Sequence, residues 1–211
     1  MDLVELSREL MYNQTVKNKS PAWLLTELAI DEGRELSKKH HVDERLVLTA
    51  LYLAHTIFSQ EFGGDIQKSH PALSAEFAKK YLDKWGVNNV EQGIILESIK
   101  EHHTLGGLNK SKIVEVVKNA EGFKFVTVEG SLIWLHDLGR RQVPFDEAVE
   151  KVIKKMEQKM RLLTLSDCIE EAQQNCLVIR NIFLHNSNII SNKSKQANPR
   201  VVVSAKKKRR W

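Results

Sequence analysis

The chain predicts an all-α fold, a compact helical bundle, on three observations. Apolar residues recur at helical spacing through most of its length. Start and stop signals (Ser20-Pro21, Pro71, Trp85-Gly86, Gly106-Gly107, Pro144) fall at helix-length intervals. With 10 Gly and 4 Pro in 211 residues, turn formers are too few for a turn-dense all-β chain.

The elements follow in order. Ser20-Pro21 opens a helix whose inward residues are Leu24, Leu25, Leu28, Ala29 and Leu36. Glu44 to about Phe58 is apolar on most faces, the mark of a central buried helix. Gly63-Gly64 breaks the chain, and Pro71 takes a first helical position ahead of the stripe Leu73, Phe77, Tyr81 and Leu82. Asn89 to about His102 turns Ile94, Ile95 and Ile99 inward. A short helix fits Lys112–Lys118. Phe123–Val128 alternates like a strand but has no partner run, so it reads as a loop into a helix over Val128–Leu138. Pro144 starts an amphipathic helix carrying Phe145, Val149, Val152, Ile153, Met156 and Met160. Thr164 with Asp167 resembles a capping box for a last helix with Ile169, Ala172, Cys176, Ile179 and Phe183 inward. These last two form a C-terminal helical hairpin, packed on the domain or serving as a dimer face. Helices number roughly seven.

Two cysteines, Cys168 and Cys176, lie eight apart on one helix. Two turns separate them by about 12 Å, too far to pair, and a reduced, cytoplasmic chain follows as the expectation. No apolar run reaches bilayer length, so no membrane partner is expected.

The net charge of +5 conceals an asymmetry. Beyond residue 190 stand eight basic residues and no acid; taking these eight from +5 leaves residues 1–190 at −3. The organisation expected is a helical domain over 1–190 and a basic, flexible tail over 191–211. The tail closes on Lys206, Lys207, Lys208, Arg209, Arg210 and Trp211. Cations displace counterions from phosphates and an indole stacks on a base, so this run is a candidate contact to RNA or a ribonucleoprotein. A solvated tail or a nuclear-localisation-type signal has the same composition.

The eight histidines carry the chemistry. His55 ends the most apolar helix, His70 precedes a helix start, His102 and His103 end a helix before a Gly-Gly break, and His136 with Asp137 sits late in another. Helix ends aimed at one place would bring neutral imidazoles and a carboxylate together as a site for Mn, Fe, Ni or Zn. Singly, a histidine at a helix end more often meets a free carbonyl or water.

The stretch from Ser20 to His103 resembles the HD superfamily of metal-dependent phosphohydrolases. The resemblance rests on VDERLVLTALYLAHT (42–56), SHPALSAEFAKKYL (69–82) and IILESIKEHH (94–103), with SLIWLHDLGR (131–140) supplying a later helical Asp. It implies a metal site formed by His55, His70, His103 and Asp137. It also implies attack of a metal-activated water on a nucleotide or nucleic-acid phosphate, with Lys68 and Arg140-Arg141 as candidate phosphate contacts. Two departures stand out. Where the family has His-Asp, this chain has His55-Thr56, and a threonine oxygen leaves cation charge uncompensated. The family's first His, expected around residues 23–27, is absent; Glu27 is the ionisable group there, and helical spacing also admits Leu25. An alternative register takes LHDLG (135–139) as the intact motif.

The function expected is an HD-domain-like protein with a partly degraded metal site. It would be a non-catalytic or weakly active binding module held on RNA or a ribonucleoprotein by its tail. The alternatives are an active phosphohydrolase acting on a nucleotide or nucleic-acid phosphate, and a structural domain that forms a homodimer. No residue is assigned a catalytic role at this stage.

Overall fold

The computed structural model describes residues 2–57, 65–106 and 111–185; of 65–68, 184 and 185 it describes the backbone alone. Among the described residues stand nine α-helices: α1 Leu3–Asn18, α2 Trp23–His40, α3 Glu44–Leu53, α4 Asp65–Lys84, α5 Asn89–Glu101, α6 Lys112–Phe123, α7 Val128–Arg140, α8 Phe145–Met160 and α9 Ser166–Arg180. A π turn over Asn181–His185 follows. The all-α bundle expected from the sequence is what forms. None of these helices is long and apolar enough to cross a membrane.

The core is built around α3 and α6. Every residue of α3 from Leu46 to Leu53 is buried, as its all-round apolar character predicts, and α1, α2, α5 and α6 pack about it. Helix α6 is buried from Val116 to Phe123 and touches α2, α3, α5, α8 and α9. It is longer and more central than the short helix expected at Lys112–Lys118.

Helix α1 went unread in the sequence. Its buried positions are Leu3, Ser7, Met11 and Thr15, a stripe one residue wide and half polar, which gives little amphipathic contrast. Asp2 caps it, accepting from Val4 N at 2.9 Å. Helix α4 begins at Asp65, so Pro71 lies in its second turn rather than at its start.

The hairpin of α8 and α9 lies against α6 and α7, with Ala148, Val149, Val152, Met156, Cys168, Ala172 and Ile179 inward. The capping box read at Thr164 and Asp167 does not form. Leu165 is the N-cap residue of α9 and has no side-chain cap. The acceptor comes instead from α6, where Asn119 Oδ1 accepts from Thr164 N at 2.8 Å and Leu165 N at 3.1 Å. Asn119 Nδ2 donates to Thr164 Oγ1 and to the Glu115 carbonyl. From α2, Lys39 and His40 both reach Asp167. Cys168 and Cys176 are free thiols, as their spacing requires.

Helix α7 starts tightly under the preceding turn. A Cβ on Gly130 would overlap the Lys124 carbonyl oxygen, so only glycine allows the approach that fixes Lys124 and Phe125.

Candidate metal centre and its cationic cavity

Four histidines from three segments meet at the end of α3. His55 follows the last turn of that helix, His70 comes from α4, and His102 and His103 from the turn that ends α5. The buried stripe of α5 runs Gln92, Ile95, Ile99, and helical spacing carries it on to His102, which is fully buried. Ring centroids lie 5.1 Å apart for His55–His70, 5.0 Å for His55–His102, 4.9 Å for His70–His103 and 4.1 Å for His102–His103.

The carboxylate of this cluster is Glu121 of α6. It accepts from His55 Nε2 at 2.8 Å and from Lys124 Nζ at 2.8 Å, and Lys159 Nζ of α8 lies 4.0 Å away. Burial alone would push the Glu121 carboxyl up, but Lys124, His55 and Lys159 together hold it well below the usual carboxylate range. Burial, reinforced by the neighbouring lysines and rings, drives His102 and His103 well below the ordinary imidazole value and lowers His55. The imidazoles of His55, His102 and His103 are therefore held in the neutral form, the form that ligates metals. Burial likewise lowers Lys159, whose Nζ donates to His103 Nε2 at 2.9 Å.

Among the described residues two groups of ligand atoms lie within 4.8 Å of one another: His55, His70 and His102; and His102, His103 and Glu121. The first group fits a transition metal. His70 Nε2 and His102 Nε2 are 3.3 Å apart, close to the ~3.4 Å edge of a tetrahedron whose metal–nitrogen bonds are ~2.0–2.1 Å. His102 Nδ1 donates to the Ile99 carbonyl at 2.6 Å, which fixes the tautomer and leaves the Nε2 lone pair facing His70. The second group fits a metal less well, because Lys124 already pairs with Glu121 and Lys159 with His103.

The residues expected from the sequence divide accordingly. His55 and His70 share the first group, whereas His103 falls in the second and His102 takes its place beside them. Asp137 belongs to neither group; its carboxylate accepts from Arg141 Nε at 2.8 Å and Arg141 Nη2 at 2.7 Å, one turn along α7, and Glu121 stands where an acid was sought. Thr56 is buried and donates to the Leu53 carbonyl at 3.0 Å. In the window of the missing first His, Leu25 rather than Glu27 lines the cavity. The LHDLG register does not produce a site, since His136 is exposed while Asp137 is buried. The Lys68 side chain and the Lys206–Trp211 run lie outside what is described.

Sequence reasoning missed Glu121 and Lys159, and of the His102–His103 pair it took His103 as the ligand. A signal existed for Glu121, Lys159 and His102: each is polar yet falls on a buried helical stripe. Glu121 follows Val114 and Val117, Lys159 follows Val152 and Met156, and His102 follows Ile95 and Ile99.

The cluster forms one end of a cavity of about 780 Å³. Its apolar wall includes Leu25, Trp134, Leu138 and Val143. Its other wall is cationic: Lys124, Arg140, Arg141, Lys151, Lys154, Lys155 and Lys159 line it, with Glu121 the only carboxylate that lines the cavity among the described residues.

No protein-family model matches the chain, and no curated protein matches it. A crystal structure of a protein from Lactobacillus plantarum, a Northeast Structural Genomics target, is similar to it with a TM-score of 0.67 at 13% identity. The similarity covers 90% of this chain and 96% of that one. At that identity the likeness establishes a shared all-helical fold, and the fold alone.

Proposed function

We propose that this protein is a metal-dependent phosphohydrolase of the HD type, acting on a phosphate ester that enters the cationic cavity. The observation that carries the reading is the convergence of His55, His70 and the fully buried His102 on one point, with His55 and His70 lining the end of a cavity walled by lysine and arginine. A transition metal held by these imidazoles would supply Lewis-acid polarisation of a phosphoryl oxygen and a bound water of lowered pKa. The chain's own residues do the rest. His102, oriented by the Ile99 carbonyl, presents its Nε2 lone pair as a ligand. Glu121, hydrogen-bonded to His55, sets that ring's orientation and offers a carboxylate beside the site. Lys124 and Lys159 place positive charge where negative charge develops on a phosphoryl group. Leu25, Trp134 and Leu138 exclude water on the opposite wall.

The test is elemental analysis of the purified protein, with His102→Ala as control, followed by a panel of nucleotide and sugar phosphates. About one Mn, Fe, Ni or Zn per chain, lost in the variant, together with phosphate release, is the expected result. A chain that takes up none of these metals when they are supplied refutes the catalytic reading.

A second reading has an observation of its own. Lys124 and Lys159 already satisfy Glu121 and His103, so two ammonium groups hold places that a cation would have to contest. This favours a metal-free module that binds anions without hydrolysing them. Phosphate-ester binding by a metal-free protein that shows no turnover would decide for it.

A further inference from the structure

The cationic wall extends past the two lysines assigned to the reacting phosphate to a third, Lys155. Lys124, Lys155 and Lys159 converge on one aromatic ring, their Nζ atoms lying 5.3, 5.1 and 5.4 Å from the centre of Phe125. Three of the other four cations on the same wall are compensated, and the fourth, Arg140, is exposed. Lys151 pairs with Glu147 at 3.0 Å, Lys154 with Glu150 at 3.8 Å and Arg141 with Asp137 at 2.7 Å. Among the described residues the three amines about Phe125 share one carboxylate, Glu121, held by Lys124 at 2.8 Å and by Lys159 at 4.0 Å. Lys155 is half-buried, and among the described residues no carboxylate lies within ion-pair reach of it.

Among the described residues three amines crowd one carboxylate on a partly dry wall, and burial lowers both Lys155 and Lys159 from the ordinary amine value. Full protonation of all three is costly unless a ligand brings the counter-charge. Their placement says which ligand. Lys159 touches the histidine cluster, whereas Lys155 lies one turn back along α8, about 6 Å by helical rise. One phosphate seated against the histidines meets Lys159 and Lys124 and leaves Lys155 uncompensated. A second phosphate linked to the first meets Lys155. The cavity volume of about 780 Å³ is that of a small-molecule site.

We infer that Lys155, grouped with Lys124 and Lys159 about Phe125, extends the site to a second phosphate, and that the cavity takes a small molecule carrying at least two linked phosphates. The inference rests on the reading of the histidine cluster as the seat of the reacting phosphate. Lys155 is the specificity residue of the arrangement: it selects condensed phosphates over orthophosphate.

The experiment is calorimetric titration of the full chain, freed of metal, with inorganic tripolyphosphate and with orthophosphate. Wild type is compared with Lys155→Gln and Lys155→Arg. The basic tail is common to all three proteins, so differences among them report the cavity. Tripolyphosphate is expected to bind at least about tenfold more tightly than orthophosphate. Lys155→Gln should weaken tripolyphosphate about tenfold, leave orthophosphate within about twofold, and be rescued by Lys155→Arg. Equal affinity for the two anions in wild type, or tripolyphosphate affinity untouched by Lys155→Gln, overturns the inference. Lys155→Arg keeps the comparison readable if the glutamine variant misfolds, since an affinity changed more than threefold by that charge-conserving swap also counts against the role. A nucleoside triphosphate run in parallel identifies the carrier: equal affinity assigns recognition to the phosphates, and tighter binding adds the organic part. The two readings fail separately. Lys155-dependent tripolyphosphate binding in a protein that takes up no metal leaves the subsite standing without the hydrolase. Metal uptake with Lys155-independent binding removes the subsite alone.

Discussion

Replacing Asn119 by Ala should be among the most damaging single changes in the molecule that touch no site residue. Asn119 is fully buried and makes four hydrogen bonds, two of them to the backbone N–H groups that open α9. Alanine removes all four. The Leu165 N–H is buried and would be left without its acceptor, at about 1–3 kcal/mol, and each remaining bond is worth about 0.5–1.5 kcal/mol net. The total comes to about 5 kcal/mol, reduced to about 4 if water enters the space left by the side chain. In a domain of this size that corresponds to a fall in Tm of about 8–20 °C. Urea unfolding of wild type and variant measures it directly. Thr164→Val, which removes one of the four bonds, should cost no more than about 1.5 kcal/mol. A loss below 1 kcal/mol in Asn119→Ala would refute the account of how the hairpin is held to α6.

Two further outcomes are expected. Burial, with Glu171, Asp167 and Glu35 around it and Lys39 opposing, pushes the Glu32 carboxyl up to about 7. A raised carboxyl pKa means that the folded state holds the proton more tightly, so this group's contribution is fully present below about 4.5 and is lost as pH rises through about 7. Glu32→Gln should therefore match wild type near pH 4.5 and exceed it at pH 8 by about 1–2 kcal/mol, after discounting for its partial exposure; the same difference at both pH values would contradict the linkage. For the tail, removal of residues 193–211 should abolish any RNA binding that falls with added salt, and filter binding at two ionic strengths with the full and shortened chains checks it. Undiminished affinity in the shortened chain would rule out Lys206–Trp211 as the contact.

The fold was legible where apolar contrast was strong. Helix α3 is buried on nearly every face, and the sequence says so in a run of Leu, Val, Ala and Tyr. Helix α1 is the counter-case, since Ser7 and Thr15 share its inner stripe with Leu3 and Met11 and the period is lost in the noise of polar residues. The site was half legible for a related reason. His55, His70 and His103 announce themselves as residue types at helix ends. Glu121 and Lys159 belong to the commonest surface types, and only their register against neighbouring valines and a methionine marks them as inward. Asp137 shows the converse error. A buried helical acid looks like a ligand until its partner is found, and Arg141 four residues on was already in the sequence as that partner.

The division of the cavity between its two walls has a consequence for its stability in time. The imidazoles belong to the segments around α3, α4 and α5, which share the innermost core, whereas Lys151, Lys154, Lys155 and Lys159 belong to α8, part of a hairpin held by α6, α7 and a few polar ties. Peripheral pairs of helices commonly open as units at a lower free energy than the centre of a protein. The histidines can thus remain assembled through openings that carry the lysines away, and a ligand bridging both walls would act as a clasp, slowing that opening by joining a durable half to a detachable one.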